Sequence, residues 1–264
     1  MPDSVQARIL LVDDDRFSRT VLASVFESMD ITVETAAHAE EAFGMLAQNP
    51  PHLILSDAVM PGLDGFALCQ RVKGEDSYRH IPFLLLTSLS RDMPARSLDA
   101  GADDLLSKGD DEAILRLRAR QYLRVGMAPG GTSCLCATHA GASVLVVSNS
   151  STIQSLSAVH LAPLGVRVVA ANSAREAASL LTRSVPEVAV LDLGLGETAT
   201  RDLIQQIRRA PGRTQIQLLL AKGEEDFLAS VEVDVHDAQY KPLVARGNRH
   251  RMGLLLNLAR LPQG

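Results

Sequence analysis

Apolar residues in the first half of the chain come in short runs, at about 8–12, 31–35, 53–57, 83–87 and 104–107, each ending at a turn or polar signal. Runs this brief read as strands rather than helices. Between them apolar positions recur at helical spacing: Phe17, Val21, Leu22, Val25 and Phe26 make one face, and Phe66, Leu68, Cys69 and Val72 begin another. Nearly continuous apolar strands imply burial on both faces, as in a parallel sheet between two layers of helices. The pattern predicts an α/β domain, a doubly wound five-stranded parallel sheet. Ligands of such folds sit beyond the carboxyl ends of the strands, where strand order reverses.

The chain also repeats itself. ILLVDDD (9–15) aligns with VLVVSNS (144–150) at a displacement of 135 residues, and at the same displacement Glu41-Ala42 matches Glu176-Ala177 and Asp57 matches Asp192. FLLLT (83–87) then matches QLLLA (217–221) at 134, and Lys108 matches Lys241 at 133. A repeat this long is a domain duplication, because solenoid units are much shorter. The expected organisation is a first domain at 1–124, a linker at 125–141 and a second domain at 142–264. The linker is rich in Gly, Ala, Ser and Thr without sustained period. Its Cys134, Cys136 and His139 offer only three potential ligands, a weak signal for structural zinc.

Composition adds bounds rather than detail. Three cysteines, Cys69, Cys134 and Cys136, are an odd and sparse set for a disulfide framework, which favours a reducing compartment. No apolar stretch approaches the roughly 18–20 residues of a membrane span, and the start, MPDSVQARIL, lacks the regions of a secretory signal. A cytoplasmic protein without a membrane partner is expected. Residues 1–124 carry 20 Asp and Glu against 13 Lys and Arg, a balance of −7, while the remainder carries +2. Phosphate repulsion argues against a nucleic-acid surface on the first half. The basic stretch KPLVARGNRHR (241–251) reads as a solvated helix face.

Chemistry gathers at the predicted strand ends. The first strand ends in Asp13, Asp14 and Asp15, the third in Asp57, the fourth in Thr87 and the fifth in Lys108, and the fold predicts that all of them face one pocket. Packed carboxylates repel one another unless a cation intervenes. Mg²⁺ suits such a site, since it uses one or two carboxylates together with phosphate oxygens and waters. Thr87 supplies a hydroxyl and Lys108 a positive charge, the remaining parts needed to hold a phosphoryl group.

These residues resemble the receiver domains of two-component response regulators: LLVDDD with Asp13-Asp14, LSDAVMPGLDG around Asp57, LLLTS around Thr87, AGADDLLSK ending at Lys108, and the helix AILRLRARQYLR. The resemblance spans residues 7–124. It implies that Asp57 accepts a phosphoryl group from the phosphohistidine of a histidine kinase or histidine phosphotransfer protein. It also implies that Asp13, Asp14, Asp57 and the backbone carbonyl of Val59 bind Mg²⁺, and that Thr87 and Lys108 contact phosphoryl oxygens. A carboxylate is a poor nucleophile toward anionic phosphorus, so positioning and charge neutralisation must lower the barrier. The Pro61, Gly62 and Gly65 turn swings the chain clear of the incoming group.

Three departures from the family pattern matter. Gly109 follows Lys108 where the family usually has proline, and Leu105 replaces an aromatic residue. Val59 and Leu89, two residues beyond Asp57 and Thr87, are apolar, which implies slow autodephosphorylation. In the second copy Ser148-Asn149 replace the acid pair and Ala221 replaces the threonine, while Asp192, Lys241 and Pro242 remain; LDLGLGE lacks the Met-Pro turn. That copy reads as a degenerate receiver with a binding or dimerising role, and with Asp192 and Lys241 as an internal ion pair. One candidate partner of the second copy is the first; alternatively Arg116, Arg118 and Arg120, with Asp99, Asp103 and Asp104, form a symmetric homodimer face on the first copy. The expected function is a response regulator acting on a downstream protein target, without an enzymatic output. One alternative is the regulatory fragment of a larger regulator such as a diguanylate cyclase. The other is a Mg²⁺-dependent aspartyl-phosphate phosphatase, disfavoured because Val59 stands where such enzymes carry a second acid.

Overall fold

Five strands of the computed structural model, Arg8–Val12 (β1), Thr32–Ala36 (β2), Leu53–Asp57 (β3), Phe83–Thr87 (β4) and Asp104–Ser107 (β5), form one sheet in the order β2-β1-β3-β4-β5. Ser143–Val147 (β6), Arg167–Ala171 (β7), Val188–Asp192 (β8), Gln215–Leu220 (β9) and Asp237–Tyr240 (β10) form a second, in the order β10-β9-β8-β6-β7. All pairings are parallel. Both sheets follow the doubly wound flavodoxin-like order, which reverses between the first and third strands of each. The two sheets belong to separate compact units, Met1–Cys134 and Leu135–Gly264. The structure describes residues 6–88, 96–97, 99–134, 139–210, 212, 214–241, 243 and 245–261.

Helices Arg16–Glu27 (α1), Ala39–Gln48 (α2), Gly65–Gly74 (α3) and Glu112–Gly126 (α4) accompany the first sheet; Ser151–Leu161 (α5), Ala174–Leu181 (α6), Glu197–Arg209 (α7), Glu225–Val231 (α8) and Ala245–Arg260 (α9) accompany the second. The central strands are apolar because both faces are covered: Leu53, Leu55, Leu84, Leu85 and Leu86 have no exposed surface. The predicted strand 31–35 begins one residue later, since Thr32 takes the register partner of Arg8 and its N–H donates to Ala7 O at 2.9 Å. Among the described residues no helix is long and apolar enough to cross a membrane.

The predicted apolar face of α1 needs correction. Phe17 is 78% exposed and Val21 43% exposed, and the buried residues are Leu22, Ala23, Val25 and Phe26. Asp15 caps the helix by accepting from Ser18 N at 2.6 Å, so Phe17 falls in the first turn, before the helix reaches the sheet.

Helix α4 continues past residue 124 to Gly126, and Gly131–Cys134 forms a turn of 3₁₀ helix whose Thr132 N–H donates to His80 O at 2.8 Å. Further on, His139 N donates to Leu164 O at 3.2 Å within the second unit. Both ends of the stretch read as linker are therefore folded. Of Cys134, Cys136 and His139, only the His139 side chain lies among the described residues; it is buried, with Nδ1 lacking a hydrogen-bond partner.

A side chain at Gly126 would overlap the His52 carbonyl, whereas an added Cβ at Gly44, inside α2, has nothing within 4 Å among the described residues. Gly126→Ala is expected to destabilise the protein by about 1–3 kcal/mol, as overpacking does. Gly44→Ala is expected to stabilise it by about 0.5–1 kcal/mol, by helix propensity alone. Chemical denaturation of the two variants checks the opposite signs.

Candidate functional site

Strand β1 delivers Asp13 and Asp14, and β3 ends in Asp57, so the acids meet where the strand order reverses. Ligand oxygens of Asp13, Asp14 and Asp57 lie within 4.8 Å of one another. Asp13 is wholly buried and Asp14 exposed. Lys108, just beyond β5, bridges the set: its Nζ lies 2.7 Å from Asp13 Oδ2 and 2.6 Å from Asp57 Oδ2. Burial alone would lower the Lys108 pKa, but hydrogen bonds to Asp13 and Asp57 outweigh it and hold the value above that of an ordinary lysine. The ammonium is charged throughout the physiological range.

The backbone aims these groups. Asp13 Oδ1 accepts from Asp15 N at 3.0 Å and Oδ2 from Ser18 Oγ at 2.7 Å, while Arg19 Nη1 donates to the Asp13 carbonyl. Asp57 Oδ1 accepts from Val59 N at 3.2 Å. Gly65 opens α3 directly behind the acid: its N–H donates to Ala58 O at 3.2 Å, and a Cβ there would overlap the Asp57 carbonyl. Thr87, at the end of β4, is buried, and its carbonyl accepts from Lys108 N at 2.8 Å. Three bonds hold the following turn: Asp110 N to Ser107 O at 3.0 Å, Ser107 N to Asp110 Oδ2 at 3.1 Å, and Gly109 N to Ser107 Oγ at 3.1 Å. Among the described residues, a Cβ at Gly109 would meet only Ser107 Oγ, at 3.6 Å. Lys108 thus reaches both acids without a proline after it.

Asp15 does not join the acid cluster, contrary to the expectation that all three acids at the end of β1 face the pocket; it caps α1 instead. Ser18 and Gly65 were missed. Ser18 sits five residues after Asp13, reachable only once the capped helix turns back, and Gly65 was read as part of a turn rather than as the point where α3 touches the acid strand. Val59 is 62% exposed, and Leu89 lies outside the described residues.

Residues 9–120 match the response regulator receiver domain. The chain is 37% identical over 121 residues to the response regulator PleD of Caulobacter vibrioides, covering 46% of this chain and 27% of that protein. It is 40% identical over 110 residues to the gliding motility regulatory protein of Myxococcus xanthus, covering 41% of this chain and 14% of that protein. The chain thus spans only a minor part of these relatives. Among solved structures, the signal receiver domain of a signal transduction histidine kinase from Syntrophus aciditrophicus is 35% identical, covering 45% of this chain and 90% of that one, with a TM-score of 0.43.

The corresponding place in the second unit is closed by its own bonds. Asp192, 2% exposed, accepts from Lys241 Nζ at 2.8 Å, Ser148 Oγ at 2.6 Å and Gly194 N at 3.0 Å. Burial would raise its pKa, but these three donors outweigh it and hold the carboxyl below the ordinary aspartate value. Ser148 occupies the position of Asp13 and donates a hydrogen bond where Asp13 supplies charge. Asn149, opposite Asp14 in the repeat, donates to Gly194 O at 3.1 Å.

Proposed function

We propose that the protein is a response regulator that accepts a phosphoryl group on Asp57 and signals through protein contacts. The observation that carries this reading is Lys108 held between Asp13 and Asp57 at 2.7 and 2.6 Å, inside the region that matches the receiver domain. A lone strand-end acid would carry far less.

The acids fit a hard divalent cation: three carboxylates cluster, two of them on one ammonium, with oxygen donors close enough to share one ion. Asp13, Asp14, Asp57 and the Val59 carbonyl would hold Mg²⁺, which when bound neutralises charge on the transferring group. An Asp57 oxygen attacks phosphorus of a phosphohistidine on a kinase or phosphotransfer protein. The P–O bond forms as the P–N bond breaks, and the departing imidazole takes up a proton. Lys108 transfers its hydrogen bonds from the carboxylates to phosphoryl oxygens, and the Thr87 hydroxyl donates to another. Lys108 is placed to act because it begins within hydrogen-bond reach of the nucleophile.

The second unit is read as a binding or dimerisation module for the same response regulator. Its acid is held by Lys241, Ser148 and Gly194, and Ser148, Asn149 and Ala221 stand where the first copy has the acid pair and threonine that would hold a cation and a phosphoryl group. Of the proposed dimer-face residues, Asp103 is occupied by Lys73 at 2.6 Å. The short share of PleD that the chain covers also suits a reading as the regulatory part of a larger regulator.

The test is a phosphate-affinity gel of the full chain after incubation with acetyl phosphate, in Mg²⁺ and in EDTA. A shifted band in Mg²⁺ alone is expected. An equal shift in EDTA, or none in either, contradicts the reading.

A further inference from the structure

The internal repeat exposes a difference at the opposite end of the second sheet from Asp192. Strands β6 and β7, the end of α6 and the segment leading to β8 enclose a cavity of about 340 Å³, lined among others by Ser143, Leu145, Arg167, Val169, Leu180 and Arg183. Ser143 and Leu145 alternate onto one face, and Arg167 is the register partner of Ser143.

The first unit treats the same corner differently. Arg8 pairs with Thr32 as Ser143 pairs with Arg167, and Arg8 N donates to His52 Nδ1 at 3.1 Å as Ser143 N donates to Glu187 Oε2 at 2.7 Å. Residues 8 and 143, like 52 and 187, are separated by the repeat displacement of 135. The Arg8 side chain spans the corner, with Nη2 donating to Pro50 O at 2.8 Å. In the second unit Ser143 is too short to do so, and its hydroxyl turns onto Glu187 Oε2 at 2.9 Å. A long side chain in one copy has become a cavity in the other.

Two cations stand at that cavity. Arg167 and Arg183 are exposed, and among the described residues neither guanidinium has a hydrogen-bond or ion-pair partner. Guanidinium forks match carboxylate, phosphate and sulfonate oxygens, while Leu145, Val169 and Leu180 offer apolar wall for a hydrocarbon body. The volume falls at the lower end of the roughly 300–1,000 Å³ of small-molecule sites. We propose that the second unit binds a small amphiphilic anion in this cavity, its acid group on Arg167 and Arg183 and its apolar body against the sheet. The degenerate receiver is then a ligand-binding module whose site is independent of the acceptor pocket.

The probe is anilinonaphthalene sulfonate, followed by its fluorescence with the full chain and displaced by octanoate. One saturable site is expected, displaced by octanoate but by neither octanol nor inorganic phosphate. The double variant Arg167→Gln and Arg183→Gln is expected to weaken it by at least about tenfold, the value of charged hydrogen bonds. Ser143→Arg restores the long side chain of the first unit beside Glu187 and is expected to abolish the site, with phosphoryl uptake unchanged. Dye binding that survives Ser143→Arg or the arginine double variant overturns the proposal. So does equal displacement by octanol or phosphate, or the lack of a saturable site.

Discussion

Lys108→Ala is expected to slow phosphoryl uptake by about 10²- to 10³-fold, the cost of losing one preorganised donor to a developing anion, while tightening Mg²⁺ binding. Both effects come from one side chain. Lys108 is bonded to Asp13 Oδ2 and Asp57 Oδ2, and both carboxylates belong to the set that would hold the cation. Removing the ammonium frees those oxygens for the cation and strips the phosphoryl group of its nearest fixed charge. Initial rates of adduct formation at saturating Mg²⁺, with calorimetric titration of Mg²⁺, separate the two consequences. Uptake within twofold of the natural chain, or weaker Mg²⁺ binding, contradicts the role given to Lys108. The account also sets a pH limit. The raised Lys108 pKa means that the stabilising bridge is complete below the roughly 10.4 of an unfolded lysine and is lost as pH rises through the higher folded value.

Asp192→Ala is expected to cost the second unit about 3–5 kcal/mol, the penalty for breaking a buried ion pair by removing one partner. Lys241, with its side chain 24% exposed, would lose its carboxylate, and Ser148 Oγ and Gly194 N would lose their acceptor. Hydrogen exchange followed by mass spectrometry reports the change locally: β8 and β9 should exchange faster, while β1 and β3 keep their protection. The same carboxylate makes stability depend on acid. Because its folded pKa lies below the unfolded value, its contribution is complete above about pH 4 and is lost as pH falls toward the folded pKa. Protection of β8 that is unchanged in Asp192→Ala would show that the closed site contributes little.

The architecture was legible because the signals that set it are local. Five short apolar runs repeated after 135 residues fix strands, parallel pairing and duplication together, and Asp13, Asp14, Asp57 and Lys108 follow from the strand ends. What escaped the sequence depends on how the chain turns between elements. Asp15 looks like a third acid in the pocket until its bond to Ser18 N makes it a helix cap, and that same cap carries Phe17 out into solvent. Gly65 is indistinguishable from a turn glycine until Asp57 O is found where its side chain would be. Ser143 stands one residue before the aligned run, opposite Arg8, and its meaning needs the Arg8 contact with Pro50 O.

On the proposed reading, one acid of the two copies, Asp57, takes the phosphoryl group. The decisive measurement is intact mass after incubation with Mg²⁺ and acetyl phosphate, on the natural chain, Asp57→Asn and Asp192→Asn. A single added phosphoryl group on the natural chain and on Asp192→Asn, and none on Asp57→Asn, is the predicted result. Uptake that persists in Asp57→Asn, or disappears in Asp192→Asn, would contradict it.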